Sequence, residues 1–459
     1  MTKFHPFLLG ACLLASLVSC EKEKSGGSDR FRVNAFISAT MSDFYLWNDQ
    51  VAAGRPDGST DPVAFFNSLL YTGDAWSYIT ADKEAFMEEE ITQTGESFGY
   101  DLAFAELGDG TLAAVVRYAY PGSPAAAVLE RGDLILKRDG QAITRENAEG
   151  FFGKGTTRLT LGTLAGTTVT TGETVTLTSK RVDRDPAIFH TVINRGARKI
   201  GYLVYTGFVS NFRQSLIDIL AGFKGSGITD LVLDLRYNPG GEVEMARLLC
   251  SAIVPEHFAN TDNVLVTHRW NAARQAEIEE GMRVRPAYYK DYYATTFQEV
   301  TCNLALPAER VFVLTTPSSA SASELLIVGL EPYMEVIQIG GATHGKYTAM
   351  YTFSPEDDPA IANWMILPVV FKYVNKNGRT DFKDGLTPAH ELTESLPLLP
   401  FGDEAEPFLA KALSLITNDE TPESTESAPT TRWISIPAKG AHDGFLLHRP
   451  PADGGMPRH

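Results

Sequence analysis

The chain has 459 residues, of which 44% are hydrophobic and 21% charged, the composition of a globular protein long enough for roughly two to four domains. Its 57 acidic residues exceed its 40 lysines and arginines, which gives a formal net charge of −17. This negative charge argues against a nucleic-acid partner, because the phosphates would be repelled.

The first 20 residues are typical of an export signal. Lys3 is followed by an apolar run from Pro6 to Val18. This run is too short for a bilayer core, which needs about 20 apolar residues, but it suits a secretory signal peptide. Residues 17–20, LVSC, resemble a bacterial lipobox, which would make Cys20 the lipid-modified first residue and the link to a membrane. An ordinary cleaved signal peptide is the alternative.

Composition divides the remaining chain into five segments. Residues 21–31 are charged and contain Gly and Ser, which predicts a tether. Residues 32–93 are rich in aromatic residues and predict a small helical region, and the Gly-punctuated Thr/Val runs of residues 94–183 predict a β-rich domain. Residues 184–417 alternate strand and helix patterns. Residues 418–459 are rich in Pro, Ser, Thr and Gly, which predicts a disordered tail.

Three segments of the region 184–417 share one plan. The runs at 228–241, 310–316 and 334–341 are continuous and apolar, and each is followed by a helix or a loop. Such runs indicate buried parallel strands and an α/β fold. Functional groups collect beyond the carboxyl ends of such strands. We therefore expect the NPGG turn, the serine run SSASAS and Lys346 to lie close together.

One serine of this run could be a nucleophile. The run precedes a predicted helix, whose N-terminal amides favour a developing oxyanion. Ser321 and Glu324 also fit a capping box, in which the serine only satisfies a backbone amide. Lys346 could activate the serine if burial lowers the pKa of its amine towards neutrality. A solvated loop lysine is the alternative.

The NPGG turn could supply backbone amides to the same site. Gly240 and Gly241 lack side chains that would block such a pocket. With the amide of Ala322 they would form an oxyanion hole. The alternative is a tight turn that only begins a helix.

Together these elements resemble the carboxyl-terminal processing proteases of peptidase family S41. The resemblance rests on the order DLRYNPGG, then SASASE, then GK at 25 residues beyond the middle serine. The segments KIGYLVYTGF and DGLTPAHEL, and the earlier DFYLW, match further elements of the family. The resemblance implies that Ser321 is the nucleophile and Lys346 the general base. It also implies a crotonase/ClpP-like protease core containing parallel strands, with no metal or organic cofactor.

One position departs from the family pattern. The family commonly has a Gln four residues after the lysine, where it holds the amine, but Met350 stands at that position here. A thioether is a weak acceptor. Either Thr348 or a backbone carbonyl orients Lys346 instead, or activity is reduced. His344 lies close in sequence, and we expect it to be structural or solvated.

Part of the β-rich region resembles a PDZ domain. The matching segments are SFGYDLAF and PGSPAAAVLERGDLILKRDGQAI. In the second, Ser123 can cap a short helix that Pro124 opens, and an Asp-Gly turn joins two strands. The resemblance implies that an added peptide strand would present its terminal carboxylate to a loop of three residues, Phe98, Gly99 and Tyr100. Another small β-domain with a Gly turn is the alternative.

We therefore expect a lipid-anchored serine endopeptidase of the cell envelope that acts on proteins or peptides. One alternative is an S41-like binding protein that has lost turnover, which Met350 favours. Another is a serine esterase, against which the missing G-x-S-x-G elbow counts. After export, Cys250 and Cys302 could form a disulfide or remain buried free thiols.

Overall fold

The computed structural model describes residues 24–52, 54–166, 168–418, 432–434 and 446–447. The predicted signal peptide, including Cys20, lies outside these residues. Within the described part, no helix is long and apolar enough to cross a bilayer.

The N-terminal region is mainly helical. It consists of α1 Lys24–Phe44, α2 Pro62–Ser68, β1 Tyr78–Thr80 and α3 Lys83–Phe86, followed by a π-helical turn at Met87–Ile91. Asp61 caps α2 by accepting hydrogen bonds from the amides of Val63 and Ala64, and Pro62 suits the first helical position. These elements enclose a hydrophobic cluster that also takes in Met350 from the α/β region.

Helix α1 begins earlier than the sequence predicts. We expect a tether over residues 21–31, but residues 24–31 belong to α1. Arg32 gives a physical reason, because it pairs with Asp29 one turn earlier and with Asp358 of the α/β region. These contacts join the first turns of the helix to the rest of the protein. The tether prediction is therefore wrong for residues 24–31, and residues 21–23 lie outside the described part.

The β-rich region is an antiparallel sheet. Its strands are β2 Glu96–Ser97, β3 Tyr100–Glu106, β4 Leu112–Ala119, β5 Leu134–Arg138, β6 Gln141–Ala142, β7 Thr156–Ala165, β8 Thr168–Thr178 and β9 Lys180–Arg181. Strands β3, β4, β5, β7 and β8 are neighbours in that order, β6 pairs with β5, and β2 pairs with β9. Two short 3-10 helices, Ala125–Ala127 and Ala148–Phe152, contribute buried residues to the hydrophobic cluster on one face of the sheet.

The α/β region contains two larger sheets. Its elements in chain order are β10 Ala187–Arg195, β11 Arg198–Tyr205, α4 Arg213–Ser226, β12 Asp230–Asp234, β13 Gly241–Glu242, α5 Val243–Ile253, β14 Val264–Trp270, α6 Ala272–Val284, α7 Pro286–Tyr293, β15 Ala294–Thr296, β16 Arg310–Thr315, α8 Ala322–Leu330, β17 Glu335–Gly340, β18 Thr348–Met350, β19 Met365–Leu367, β20 Val369–Val374, β21 His390–Glu391 and α9 Pro407–Thr417.

The first of these sheets has the order β10–β11–β12–β16–β17–β21. Strands β10 and β11 are antiparallel, whereas β11, β12, β16, β17 and β21 pair in parallel. The three apolar runs found in the sequence form β12, β16 and β17. The NPGG turn, the serine run and the loop before Lys346 therefore follow neighbouring strands at one edge of this sheet.

The second sheet brings β18 next to β20, which pairs with β14, which in turn pairs with β15. Strand β19 leaves this arrangement and pairs with β1 of the N-terminal region. Helices α5 and α8 lie between the two sheets, and both are almost completely buried. Cys250 in α5 and Cys302 are buried free thiols, so they do not form a disulfide.

Parts of the predicted tail are ordered strands. Residues β22 Arg432–Ile434 pair with β3 in antiparallel fashion, and β23 Leu446–Leu447 lies between β13 and β18. The prediction of a disordered tail is wrong for these residues, because the open edges of existing strands satisfy their backbone groups. The other residues from 419 onward lie outside the described part.

Candidate active site

Three serines of the run are buried, but only one of them keeps its hydroxyl unbonded. The Ser319 hydroxyl donates to the carbonyl of Leu235, and the Ser323 hydroxyl donates to the carbonyl of Asn238. The Ser321 hydroxyl has no hydrogen-bond partner among the described residues. A buried hydroxyl without a partner costs stability, so Ser321 is the serine of the run to consider for a function.

The backbone of Ser321 is strained. The residue immediately precedes α8 and has φ 63° and ψ −108°, a backbone conformation that residues other than Gly rarely adopt. Strain of this kind costs about 1–3 kcal/mol and tends to persist at functional sites. The local sequence alone gives no sign of this strain.

Ser321 and Glu324 form the predicted capping box. Glu324 accepts a 2.7 Å hydrogen bond from the Ser321 amide. The Ser321 hydroxyl faces the Glu324 amide as in such a box, but its geometry falls short of a hydrogen bond. The carboxylate therefore makes the firm half of the box, and the hydroxyl remains available.

Glu324 joins the serine to the loop that carries Lys346. Its Oε2 atom also accepts from the Lys346 amide at 2.9 Å, so the amides of Ser321 and Lys346 share one carboxylate oxygen. Its Oε1 atom accepts from the Thr343 hydroxyl and the Gly345 amide, each at 2.6 Å. Burial raises the pKa of Glu324, and these four hydrogen bonds oppose that shift. The spacing of the sequence did not indicate this role.

A tyrosine holds the same two residues from the other side. The Tyr373 hydroxyl lies 3.3 Å from the carbonyl oxygen of Ser321 and 3.1 Å from that of Lys346. Ser321 and Lys346 are therefore fixed next to each other at both their amide and their carbonyl groups. Tyr373 lies on β20, and nothing in its sequence neighbourhood marks it as part of the site.

Lys346 is completely buried, and burial lowers the pKa of its amine from 10.5 to about 7. The negative charges of Asp74 and Glu324 act in the opposite direction but are weaker than the desolvation. At neutral pH a large fraction of the amine is therefore uncharged. An uncharged amine can accept a proton from a hydroxyl.

Of Met350 and Thr348, Met350 is the residue whose side chain makes a hydrogen-bond contact with the Lys346 amine. The Lys346 Nζ atom lies 3.9 Å from the Met350 sulfur, whereas the Thr348 hydroxyl has no hydrogen-bond partner among the described residues. The methionine thus lies where a thioether can act as a weak acceptor. His344 is exposed, and its amide donates to the carbonyl of Ser319.

The two glycines of the NPGG turn differ. The Gly240 amide donates to the side chain of Asn238 at 2.8 Å, so in this structure it is already bonded. Gly241 has φ 134°, and a Cβ atom there would lie 2.3 Å from the carbonyl oxygen of Phe208. Asn238 also donates to the carbonyl of Tyr205, which fixes the turn. Its position before Pro-Gly is a recognised turn signal, but the sequence does not predict which groups its side chain bonds.

Two family models match the chain. The model of peptidase family S41 matches residues 199–392, and the model of the peptidase S41 N-terminal domain matches residues 32–78. Together they span more than half of the sequence. The chain belongs to peptidase family S41. It is therefore a serine-type peptidase, and its substrates are proteins.

Known relatives agree with this membership. A carboxyl-terminal-processing protease from Picosynechococcus sp. is 26% identical over 347 residues, which cover 73% of this chain and 74% of the relative. The carboxy-terminal processing protease CtpA of Bacillus subtilis is 24% identical over 80% of this chain and 70% of its own. The crystal structure of an S41 protease from Bacteroides fragilis has a TM-score of 0.69 and 26% identity, covering 84% of this chain and 98% of that one.

In this S41 peptidase, a buried ionic network supports the NPGG turn. Arg236 is fully buried and contacts Asp234 at 2.7 Å, Glu406 at 2.7 Å and Glu394 at 3.2 Å. Arg131 of the β-rich region contacts the same Glu394 at 3.2 Å. The network therefore joins the β-rich region to the turn that follows β12. In the sequence only the Asp and Arg of DLR indicate this network, because Arg131, Glu394 and Glu406 are distant from them along the chain.

The loop predicted to bind a carboxylate lies at the start of β3. Gly99 has φ 79°, and a Cβ atom there would lie 2.2 Å from the side chain of Ser123. The Ser123 hydroxyl accepts from the Ala126 amide, as the sequence predicts for a helix cap. Phe98 is buried and stacks on Tyr100, with ring centroids 5.7 Å apart.

Among the described residues, no group of three His, Cys, Asp or Glu side chains could hold a metal ion.

Proposed function

We propose that this S41 peptidase is an endopeptidase that uses a Ser321–Lys346 dyad. The single observation that carries the proposal is the arrangement around Glu324 Oε2, which accepts from the amides of both residues. The same two residues carry a hydroxyl without a partner among the described residues and an amine with a lowered pKa.

The proposed reaction begins with proton transfer from the Ser321 hydroxyl to the neutral Lys346 amine. The serine oxygen attacks the peptide carbonyl carbon, and the carbonyl electrons move to oxygen. The Ala322 amide, at the start of α8, and the Gly241 amide would stabilise that oxyanion. Gly240 is the weaker candidate, because Asn238 already accepts its hydrogen bond.

The protonated lysine then gives its proton to the departing amine, which leaves an acyl group on Ser321. Water then attacks the acyl carbon while the same lysine accepts its proton; the bond between that carbon and the Ser321 oxygen breaks, the lysine returns the proton to this oxygen, and the carboxylate product leaves. All of these proton transfers use one nitrogen, so the lysine must change its charge readily near the working pH. A pKa of about 7 meets this requirement.

The test compares the wild-type chain with Ser321→Ala and Lys346→Ala on unfolded casein. We expect each substitution to lower kcat by about a thousandfold or more. Ser318→Ala is the matched control, because Ser318 belongs to the same run but is exposed. Equal hydrolysis by wild type, Ser321→Ala and Lys346→Ala would rule out the dyad.

The β-rich region, residues 94–183, is proposed to act as a PDZ domain that presents substrate C-termini. Support comes from the loop formed by Phe98, Gly99 and Tyr100, which leads directly into β3, a strand whose side away from β4 is covered only by the three residues of β22. A labelled peptide should bind less tightly when its terminal carboxylate is amidated. Equal affinity for both forms would contradict carboxylate recognition.

We also propose that residues 1–20 are a lipoprotein signal, that Cys20 carries the lipid, and that the enzyme acts on envelope proteins. The support is the sequence alone. Metabolic labelling with a fatty acid, compared between wild type and Cys20→Ala, tests it. The division into a helical region at 32–93 and a protease core at 184–417 remains part of the same proposal.

A peptide-binding protein without turnover is a second candidate. The observation that favours it is the Met350 sulfur next to the Lys346 amine, where an amide oxygen would hold the amine more firmly. A fluorophosphonate probe separates the two candidates, because it labels an activated serine. Labelling that disappears in Ser321→Ala would favour the peptidase.

A further inference from the structure

The edge of β3 is occupied by a distant part of the same chain. Strand β22 pairs with β3 in antiparallel register, with Arg432 opposite Glu106, Trp433 opposite Ala105 and Ile434 opposite Phe104. In this register Ile434, the last residue of β22, lies nearer the start of β3 than Arg432 does. The start of β3 is the end where the loop of Phe98 and Gly99 lies.

The side chains of β22 alternate as those of a bound peptide strand would. Ile434 is buried in the cluster that contains Phe104 and Phe151. Trp433 packs on the opposite face, and its indole nitrogen donates to the carbonyl of Glu394 at 2.9 Å. Arg432 is exposed. Main-chain pairing combined with pockets for alternate side chains is the mode by which sheets bind extended peptides.

A second short strand from the same part of the sequence lies beside the candidate active site. Strand β23 pairs in parallel with Gly241 and Glu242 of β13, and Leu447 lies opposite Met350 of β18. Strand β23 thus lies between the strand that carries Gly241 and the strand that follows Lys346. Ser321 and Lys346 are both fully buried in this arrangement.

We propose that β22, Arg432–Ile434, is an internal peptide ligand that competes with extended peptides for the β3 edge, and that β23, Leu446–Leu447, occupies a strand position beside the candidate active site in the same way. Strand β22 holds its place at β3 through three residues and one fully packed apolar side chain, far less than the seven residues of β3 itself. Such a short edge strand can leave its sheet without unfolding it. The inference rests on the proposed peptide-binding role of the β-rich region, but not on catalysis.

The test measures binding in the full chain carrying Ser321→Ala, so that no probe is cleaved. The probe is a fluorescein-labelled peptide of residues 428–440, APTTRWISIPAKG. Adding Ile434→Asp puts a carboxylate into the apolar cluster and should release the internal strand. We expect the probe to bind about tenfold more tightly to this double variant, because the site no longer has to be vacated first. Arg432→Ala is the matched control and should stay within about twofold of the Ser321→Ala chain.

Hydrogen exchange gives an independent readout. The amides of residues 100–106 should exchange faster in the Ile434→Asp chain and become protected again when the probe is added. Trp433→Ala, which removes only the indole contacts, should give a smaller change in the same direction. Unchanged exchange in both variants would overturn the inference, and so would faster exchange without tighter probe binding.

Turnover separates this inference from the proposed function. In a chain that retains Ser321, Ile434→Asp should lower KM for unfolded casein and leave kcat unchanged. If no variant hydrolyses casein but probe binding still tightens, the proposed function fails and the internal ligand stands. If casein is hydrolysed with the same KM and the probe binds with the same affinity in both chains, the internal ligand fails alone.

Discussion

The lowered pKa of Lys346 predicts how activity depends on pH. Only the neutral amine can accept the serine proton, so kcat/KM for a peptide should rise as pH increases through about 7. The assay measures kcat/KM between about pH 5.5 and pH 9.5 at constant ionic strength. A lysine in water would place the same rise near its ordinary pKa of 10.5.

The same burial of Lys346 should lower the free energy of unfolding of the protein. The difference between a pKa of 10.5 in the unfolded chain and about 7 in the folded one corresponds to about 5 kcal/mol. Between these two values the unfolded chain binds more protons, so stability rises with pH. Below pH 7 both states are protonated and the penalty is present in full. Above the unfolded pKa the penalty disappears.

Lys346→Met removes this penalty and is the perturbation to use. Urea unfolding at pH 7 should show a more stable variant, by up to about 5 kcal/mol, with the gain falling to about 2 kcal/mol at pH 9. The exposed Lys137→Met serves as control and should show no such pH dependence. A Lys346→Met gain that is the same at both pH values, or a kcat/KM that is still rising about tenfold per pH unit at about pH 9.5, would refute the reasoning.

Three further substitutions test other parts of the site. Met350→Gln gives the Lys346 amine an amide acceptor, so kcat should rise by about threefold or more in a casein assay; no change would show that the amine is already well held. Glu324→Gln removes a carboxylate that accepts four hydrogen bonds. The free energy of unfolding in urea should therefore fall by about 2–4 kcal/mol, and kcat should fall as well. Gly241→Ala brings a Cβ atom within 2.3 Å of the Phe208 carbonyl oxygen, so kcat should fall at least tenfold while Ser318→Ala stays at the wild-type value.

The sequence was informative where the pattern is local. The apolar runs at 228–241, 310–316 and 334–341 were sufficient to identify three strands, because buried strands need continuous apolar residues. Ser321 could be selected among its neighbours only through the family resemblance. The physical reason for that choice, the bonded hydroxyls of Ser319 and Ser323, depends on contacts with the loop after β12 and is invisible in the serine run itself.

Long-range contacts were the part that could not be predicted. Tyr373 and Glu394 reach the site region from positions that carry no motif. The sequence predicts a disordered tail where the structure has the strand Arg432–Ile434, because the flanking composition is polar and rich in proline. A short strand that joins the edge of an existing sheet is stabilised by its hydrogen bonds to that edge strand, and the composition of the short strand does not reveal that such a partner exists.

The two interpretations of Ser321, helix cap and proposed nucleophile, are compatible with one arrangement. Glu324 performs the capping and at the same time fixes the loop of Lys346, so the helix start does not need the serine hydroxyl. The arrangement also contains a buried amine with a lowered pKa and a strained backbone, in two residues whose amides share one carboxylate oxygen. Each of these two features lowers the free energy of unfolding, so a region selected only for stability would not retain both. Their coincidence is therefore the strongest physical argument for the proposed Ser321–Lys346 dyad.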